Sequence, residues 1–410
     1  MSHIISDLWR LPSDVSRQLA DSSWSVLILS VTLSYLALVW LLRFRAARKL
    51  HISYAPYVSN PYSMDYKTAH RIMRLDMLYE FPWMYFFGTS WALVKTYGIA
   101  SGTGLLVQTG QLTTEDKVGK RAEDTGVIIG EFTVGSVDSE RGLRALSKMN
   151  WLHRRYGSKI GNEEMIHTMA MFVLEPQRWI ERYEWRAMTE LEKVASFIYW
   201  KEIGNRMGIK NIPQTLHELE AWTEDFEMSH MVYADSNRVC AETTINMYLR
   251  NVPKFLRNFA RDAASSLLED RVRLAVGLPD PPSWVPHLVI SFLKARGWLL
   301  RYLFLPRLYE VDVLQPAGPN GRIQRDIYGF EPWYVRDTMW TRLFLWLQTG
   351  GRLLPGPKYK SAGYLPEELG PVEYEKSSKV PVLKEAKAMK MYAAKGGAAV
   401  VGCPFAFGGN

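Results

Sequence analysis

The sequence predicts an all-α protein with a single N-terminal transmembrane helix, a multi-helix globular domain and an irregular C-terminal tail. The segment from Trp24 to Leu42 contains no charged side chain. Downstream, apolar residues recur mainly at helical spacing, and the alternation typical of strands is scarce. After residue 355 the chain is rich in Pro, Lys and Gly with little periodicity, which favours irregular structure. The predicted division is a polar segment 1–23, an anchor 24–42, a basic and Pro-rich linker 43–65, a helical domain 66–354 and a tail 355–410.

The uncharged segment 24–42 has the length and the flanks of a membrane-spanning helix. At about 1.5 Å per residue it covers about 30 Å, which is the thickness of a bilayer core. Trp24 and Trp40 lie near its ends, where interfacial aromatic residues are common, and a basic block follows at 43–49. Residues 1–23 lack the basic start of a signal peptide. We therefore expect a single pass with the C-terminal side in the cytosol; the alternative is a buried core helix.

Composition places limits on the partners and the compartment. At 410 residues with 47% hydrophobic side chains, the chain can bury a large core in one or two domains. The net charge of +8 comes from basic residues scattered among aromatic ones, which suits contact with an anionic membrane surface. The sequence carries no nucleic-acid-binding signature. Cys240 and Cys403 form no disulfide framework, which fits a reducing compartment.

The globular domain is predicted to consist of successive amphipathic helices. The aromatic stretch 81–94 indicates core or a membrane-dipping surface, and we expect it to form the entrance to an apolar tunnel. The segment 288–308 is apolar but contains three basic residues, so we expect a core helix or an interfacial amphipathic helix and not a second membrane span. Helix breaks are predicted at Gly126, Gly135, Gly157, Pro176, Gly204 and Pro213.

Neighbouring segments of this domain carry candidate functional side chains. A helix beginning near Arg141 would align an apolar stripe that ends at His153. The stripe consists of Leu143, Leu146, Met149, Asn150 and His153. A histidine in that position is either a satisfied core residue or a ligand. Upstream, Arg121 and Thr125 are four residues apart and share one face of a helix. Downstream, Asn162 is a good N-cap for a further helix.

The order and spacing of these elements resemble the latex-clearing-protein (rubber oxygenase) family, helical proteins that carry b-type haem. That family has an Arg-x-x-x-Thr motif on the distal side of the haem, which Arg121 and Thr125 match. Its axial histidine follows about 30 residues later at the end of a short apolar helix, where this chain has His153. The third element, an Asn-x-Glu/Asp-x-x-x-Thr helix, is matched by Asn162, Glu164 and Thr168. Rubber-cleaving members carry a lysine just before the threonine; this chain has Asp124, which bears on the distal chemistry or the resting sixth ligand.

The match is closer to a fungal branch, the endoplasmic-reticulum-bound oxygenases of meroterpenoid pathways such as that of mycophenolic acid. The resemblance covers roughly residues 50–310 and is carried by NWLHRRYG at 150–157, FVLEPQRWIERYEWR at 172–186, ASFIYWKEIGNRMGI at 195–209 and IPQTLHELEAW at 212–222. It implies a haem b oxygenase of secondary metabolism in the endoplasmic reticulum membrane. The implied reaction is cleavage, by dioxygen, of a C=C bond in a lipophilic prenyl or terpenoid chain, which gives an aldehyde or a ketone.

The resemblance also implies roles for individual residues. His153 would hold the haem iron as its axial ligand. Arg121 and Thr125 would hydrogen-bond to oxygen on the distal side and polarise it. His167 is expected either to orient a haem propionate or a distal water, or to have a structural role. Thr168 is assigned to the cofactor site as part of the matched helix.

Two other classes of function remain. Glu164–His167 and Glu227–His230 are both Glu-x-x-His pairs, which occur in the di-iron sites of carboxylate bundles. Further ligands of such a site would be Glu131 and either Glu192 or Glu202. The second class is a non-catalytic membrane protein that binds haem or lipid. The sequence lacks the cysteine loop of cytochromes P450, the histidine boxes of membrane desaturases, phosphate-binding loops and nucleophile elbows.

Overall fold

The computed structural model describes residues 13–397, with side chains from residue 24 onward. These residues form helices, turns and four isolated β-bridges but no β-strand, so the all-α prediction is confirmed. In chain order, the α-helices are α1 (Ser13–Arg43), α2 (Arg45–Ser53), α3 (Ala55–Val58), α4 (Tyr66–Leu75), α5 (Pro82–Thr96), α6 (Ala100–Thr109), α7 (Glu115–Thr133), α8 (Glu140–Arg154), α9 (Asn162–Tyr183), α10 (Glu190–Met207), α11 (Leu216–His230), α12 (Asp235–Leu249), α13 (Arg257–Ser266), α14 (Asp270–Ala275), α15 (Trp284–Tyr302), α16 (Met339–Thr349) and α17 (Lys379–Ala394). A π-helical turn, Asp76–Glu80, joins α4 to α5.

Helix α1 is longer than the predicted anchor, because it begins at Ser13. By length and apolar composition, Trp24–Ser53 is the one candidate membrane span in the described part of the chain. Its side chains face outward: Trp24 and Trp40 expose 64% and 75% of their surface. The alternative of a buried core helix is therefore wrong. The predicted linker is not extended, since it contains the short helices α2 and α3.

Helices α5 and α9 cross closely at the centre of the domain. A Cβ atom on Gly88 of α5 would lie 3.0 Å from the Cα atom of Pro176 in α9, so glycine permits this approach. Helix α9 continues through Pro176, and the predicted break there is wrong. Packing against α5 offsets the backbone hydrogen bond that a proline cannot donate.

Two predicted glycine breaks are also wrong, since α7 runs through Gly126 and α10 runs through Gly204. At Gly204 the helix meets its neighbours, because an added Cβ atom would lie 2.8 Å from Met169 Sδ. This glycine serves close packing and does not end the helix. The remaining predicted breaks, Gly135, Gly157 and Pro213, lie between α-helices, and Gly157 begins a short 3₁₀ helix.

Helix α8 begins and buries its apolar face as predicted. Ser139 caps the helix, and its hydroxyl oxygen accepts a hydrogen bond from the Gly142 backbone N–H at 3.0 Å. Leu143 and Leu146 are buried against the rest of the domain. The helix therefore carries its last residues, including His153, into the core side of the fold.

Asn162 is not the N-cap of α9, because Gly161 takes that position. The Asn162 side chain instead bridges to the backbone of Lys210. Its carbonyl oxygen accepts from the Lys210 N–H at 2.8 Å, and its amide donates to the Lys210 carbonyl at 2.9 Å. The bridge fixes the start of α9 to the loop that follows α10.

The segment after residue 355 folds back onto the helical domain. Much of it lacks regular structure, as predicted, but residues 379–394 form α17, which packs along α8. Val382, Met389 and Tyr392 are buried on one side of this helix. Lysines interspersed among them obscure the helical pattern, so the sequence does not predict α17.

Lys148 of α8 is fully buried beside the start of α17. Its ammonium group donates a hydrogen bond to Ser378 Oγ at 2.6 Å. Burial lowers the pKa of Lys148 to about 8, although the charges of Asp124 and Glu375 oppose this shift. At neutral pH the protein therefore carries a buried charge that destabilises it.

We expect Lys148→Met to flatten the pH dependence of stability in the alkaline range. Between about pH 8 and pH 10.5 the unfolded chain holds a proton that folded Lys148 has released, so the wild-type free energy of unfolding rises with pH. The rise due to this residue is up to about 3 kcal/mol, since one pKa unit corresponds to about 1.4 kcal/mol. Urea unfolding in detergent at pH 7, 8.5 and 10 measures it, with the exposed Lys387→Met as control. If the free energy of unfolding changed with pH in the same way for wild type and Lys148→Met, the lowered pKa would not belong to Lys148.

Candidate active site

Helix α7 presents Arg121 and Thr125 on one face, in agreement with their spacing. The Arg121 guanidinium donates a hydrogen bond to the Thr125 hydroxyl oxygen. That hydroxyl in turn donates to the Arg121 carbonyl at 2.7 Å. Thr125 is thus bonded twice to Arg121, and it positions the guanidinium.

His153 occupies the last turn of α8, close to this guanidinium. Burial, together with the charges of Arg121 and Arg154, lowers the pKa of His153 to about 4. The imidazole is therefore neutral at pH 7, which is the form that binds metal ions. The structure brings the α7 motif and the α8 histidine together, although they are far apart in sequence.

Two tyrosines lie near the same guanidinium. Burial raises the pKa of Tyr97, which follows α5, and that of Tyr156, which follows α8; the charge of Arg121 opposes both shifts. The Tyr97 hydroxyl also accepts a hydrogen bond from Thr244 of α12 at 3.2 Å. Sequence reasoning missed both residues. Tyr156 could have been found from the sequence, because it lies in the NWLHRRYG stretch that carries the family resemblance. Tyr97 could not, because only tertiary packing brings it to the site.

The Arg121 guanidinium lacks an anionic partner in the part of the chain that the structure describes. Within residues 24–397, no carboxylate oxygen lies within 4.0 Å of it, whereas Arg141 is paired with Glu131 at 2.5 Å. Arg121 is half-buried. A cation in this setting favours the binding of an anionic or strongly polar ligand.

Asp124, which stands where rubber-cleaving proteins have lysine, points into a different part of the molecule. Its carboxylate accepts hydrogen bonds from Lys120 Nζ at 2.5 Å, Tyr334 OH at 2.7 Å and Gly370 N at 3.0 Å. The Asp124 side chain is buried within this network. It therefore ties α7 to the C-terminal segment.

His167 and Thr168 lie on α9, and the polar contact of His167 is with α11. Its Nε2 atom is 3.1 Å from Glu227 Oε1, and its ring packs against Phe226. Glu227 is in turn 3.2 Å from the buried Lys95 ammonium. His167 is thus part of a buried ionic cluster, which fits the structural alternative for this residue. The cofactor role of His167 and of half-buried Thr168 stays a prediction.

The three further glutamates of the di-iron alternative are each bound to an arginine. The pairs are Glu131 with Arg141, Glu192 with Arg186 and Glu202 with Arg206, at 2.5, 2.7 and 2.9 Å. His230 Nδ1 faces its own helix, 3.1 Å from the Phe226 carbonyl oxygen. In residues 24–397, no group of three or more His, Cys, Asp or Glu side chains is placed to hold a metal ion. The described structure therefore does not bring the proposed di-iron ligands together, and Glu131, Glu192 and Glu202 instead pair with arginines of the protein.

Comparison with known proteins decides the family. The model of a family described as "ER-bound oxygenase mpaB/B'/Rubber oxygenase, catalytic domain" matches residues 80–302, which is more than half of the chain. The chain belongs to this family. The matched span contains α7, α8 and both tyrosines near Arg121, and the resemblance inferred from the motifs is confirmed.

Relatives with curated names support the same family. The ER-bound oxygenase mpaB' of Penicillium brevicompactum is 29% identical over 408 residues, which cover 92% of this chain and 96% of the relative. The ER-bound oxygenase mpaB of the same organism is 28% identical over 351 residues, or 80% of this chain and 83% of the relative. The ER-bound oxygenase mpaB of Penicillium roqueforti (strain FM164) is 29% identical over 268 residues, or 62% and 90%. This family member is therefore an oxygenase, an enzyme of the oxidoreductase class.

Proposed function

We propose that this oxygenase is a membrane-anchored haem b enzyme that cleaves a C=C double bond in the prenyl, farnesyl-like chain of a lipophilic terpenoid or meroterpenoid. One observation carries the proposal. A neutral imidazole, that of half-buried His153, lies beside the Arg121 guanidinium, which lacks a carboxylate partner among residues 24–397. The pair offers one metal ligand and one fixed positive charge on adjacent helices.

The residues present fit haem b. The neutral imidazole of His153 at the end of α8 would hold the haem, and haem b, when bound, would supply the iron that activates dioxygen. Arg121 would bind a carboxylate of the haem or a polar ligand beside it, because a guanidinium stays charged in an apolar site. Thr125 holds that guanidinium in one orientation, so the positive charge is fixed before substrate arrives.

The membrane helix supports a lipophilic substrate. A prenyl chain partitions into a bilayer by about 0.8 kcal/mol per CH₂ group, so an enzyme at the bilayer surface meets it there. We place this protein in the endoplasmic reticulum membrane as a single-pass protein, as the names of its relatives suggest. The basic block after α1 supports a cytosolic catalytic domain.

The proposed reaction balances without a further co-reactant. One dioxygen molecule adds across the alkene, the C=C bond breaks, and each carbon leaves as a carbonyl, so one product is an aldehyde and the other an aldehyde or a ketone. Further oxidation of an aldehyde to an acid would need a second oxidant. Each of the first two carbonyls carries one atom of the same dioxygen.

We expect Arg121→Gln to lower the turnover of a farnesylated phenol about 100- to 1,000-fold, the usual cost of losing one fixed donor to developing charge. Arg121→Lys should lose less turnover, because it keeps the charge. It should still be slower than wild type, because lysine lacks the planar guanidinium. The turnover of Thr125→Val should lie between those of wild type and Arg121→Gln, because this substitution removes only the hydrogen bond that orients the guanidinium. Product masses under ¹⁸O₂ and oxygen uptake measure turnover, at haem loading matched by the Soret band.

The matched control is Arg238→Gln, which removes an exposed arginine paired with Glu242 on α12 and should leave turnover unchanged. If wild-type protein binds haem but consumes no oxygen with reductant and alkene, it is a non-catalytic haem-binding or lipid-binding protein. Alkene cleavage by protein that lacks a Soret band would exclude haem.

A further inference from the structure

A cavity of about 470 Å³ lies between α1 and α15 at the C-terminal end of the membrane helix. Its wall includes apolar side chains of α1, among them Leu36, Val39 and Trp40. Two arginines, Arg43 of α1 and Arg301 of α15, also line it. Along α1, Leu36 precedes Arg43 by about 10 Å at 1.5 Å per residue, so the wall is apolar toward the bilayer centre and cationic at the cytosolic end.

Hydrogen bonds hold the two sides of this cavity together. Tyr35 OH donates to the Leu303 carbonyl at 2.9 Å. Arg43 Nη1 donates to the Leu300 carbonyl at 2.8 Å and to the Phe304 carbonyl at 3.2 Å. The end of α15 is therefore fixed to the membrane helix, and the cavity between them is a built feature.

Among the residues that the structure describes, the two arginines make no salt bridge with a carboxylate, and their guanidinium groups contact backbone carbonyls and aromatic rings instead. Within residues 24–397, no carboxylate lies within 4.0 Å of Arg43 or Arg301, whereas Arg296 on the same helix pairs with Glu184 at 2.9 Å. Arg43 is 6% exposed, and its Nε atom has no hydrogen-bond acceptor among the described residues. A buried N–H without an acceptor is costly, so this atom points to an acceptor supplied by a ligand.

We propose that the cavity binds one anionic phospholipid. Its phosphate would accept hydrogen bonds from Arg43 and Arg301, and one acyl chain would lie along the apolar wall formed by Leu36, Val39 and Trp40. This order of polar and apolar groups is that of a phospholipid in the cytosolic leaflet, and the volume suits a headgroup and part of a chain.

The surface around the cavity supports a lipid partner. Phe292, Trp298 and Phe304, on or just after α15, expose 67%, 54% and 53% of their surface beside the membrane helix. Apolar side chains continuous with a transmembrane segment favour contact with the bilayer. The proposal depends on α1 lying in a membrane and does not depend on haem chemistry.

Native mass spectrometry of the full-length protein tests the proposal. The protein is released from neutral detergent after incubation with equimolar phosphatidylglycerol and phosphatidylcholine that have the same acyl chains. We expect one retained lipid per protein, with phosphatidylglycerol preferred about tenfold or more. Arg301→Gln should lower this preference about fivefold, the effect of one basic residue near an anionic lipid. Arg301→Lys should keep most of it.

The matched control is Arg48→Gln, which removes an equal charge just beyond the same membrane helix but outside the cavity. It should leave the preference unchanged, and circular dichroism checks the helix content of each variant. Equal retention of the two lipids by wild type would overturn the proposal, and so would an equal loss in Arg48→Gln and Arg301→Gln. Displacement of the lipid by a farnesyl carboxylic acid that is then cleaved would assign the cavity to the substrate instead.

Discussion

Replacing His153 by alanine is expected to abolish the Soret absorption of the purified protein and, with it, alkene cleavage. The neutral imidazole of His153 is the group that we propose as the iron ligand, and Arg121 beside it cannot bind iron. Even the loss of a residue that only supports a metal ligand lowers metal affinity about 10- to 100-fold. Loss of the ligand itself should therefore lower the affinity for haem by more than about 100-fold. Haem titration followed by absorbance measures it.

Chemical rescue separates the loss of a ligand from a general loss of structure. His153→Gly leaves space for added imidazole, which should restore the Soret band and part of the turnover. The matched control is His217→Ala, an exposed histidine on α11, which should keep full haem binding. A His153→Ala protein with a full haem complement and an unchanged spectrum would show that another residue holds the iron.

Replacing Lys95 by methionine is expected to destabilise the protein by about 3–5 kcal/mol, the usual cost of removing one partner from a buried ionic cluster. The buried Lys95 ammonium lies 3.2 Å from each of Glu175, Glu227 and Glu269. The three carboxylates raise the pKa of Lys95 against the opposing effect of burial. Without this cation, buried Glu175 would keep only Arg178 as a partner among the described residues. Buried Glu227 would keep, within the same part of the chain, only His167 and the more distant Arg271.

Urea unfolding of the variants measures this contribution. Lys95→Arg should recover much of the stability, because it keeps the charge, and Lys95→Met combined with Glu227→Gln should be more stable than Lys95→Met alone. The control is Lys193→Met, which removes a partner from the more exposed pair with Glu181 and should cost less than about 1 kcal/mol. A cost for Lys95→Met as small as that of the control would mean that the cluster contributes little to stability.

Local patterns in the sequence predicted the features that depend on neighbouring residues. The absence of charge from Trp24 to Leu42 predicted the membrane helix, and the apolar stripe predicted α8 with His153 at its end. The four-residue spacing of Arg121 and Thr125 predicted their shared face. Each of these signals lies within a few helical turns, where periodicity and spacing determine which side chains are neighbours.

Features that depend on distant contacts were not predictable in this way. Tyr97 approaches Arg121 only through tertiary packing, because its hydroxyl is bonded to Thr244 of α12 and α12 packs against α7. Pro176 and Gly204 look like helix breakers locally, yet close packing keeps them inside α9 and α10. The role of Asp124 was also hidden, because its partners Tyr334 and Gly370 are more than 200 positions away. Tertiary packing overrides local preference at all of these positions.

The network around Asp124 has a consequence for where the folding unit of this enzyme ends. The family match stops at residue 302, but Tyr334 and Gly370 satisfy the buried carboxylate of α7, one helical position before Thr125. Lys120 likewise donates to the Gly370 carbonyl at 2.7 Å. A polypeptide that stopped at residue 302 would lack Tyr334 and Gly370, the partners of Asp124 and Lys120. These two buried side chains lie on α7, the helix that carries Arg121. The folding unit therefore extends well past residue 302, and the C-terminal segment holds α7 in place through Tyr334 and Gly370.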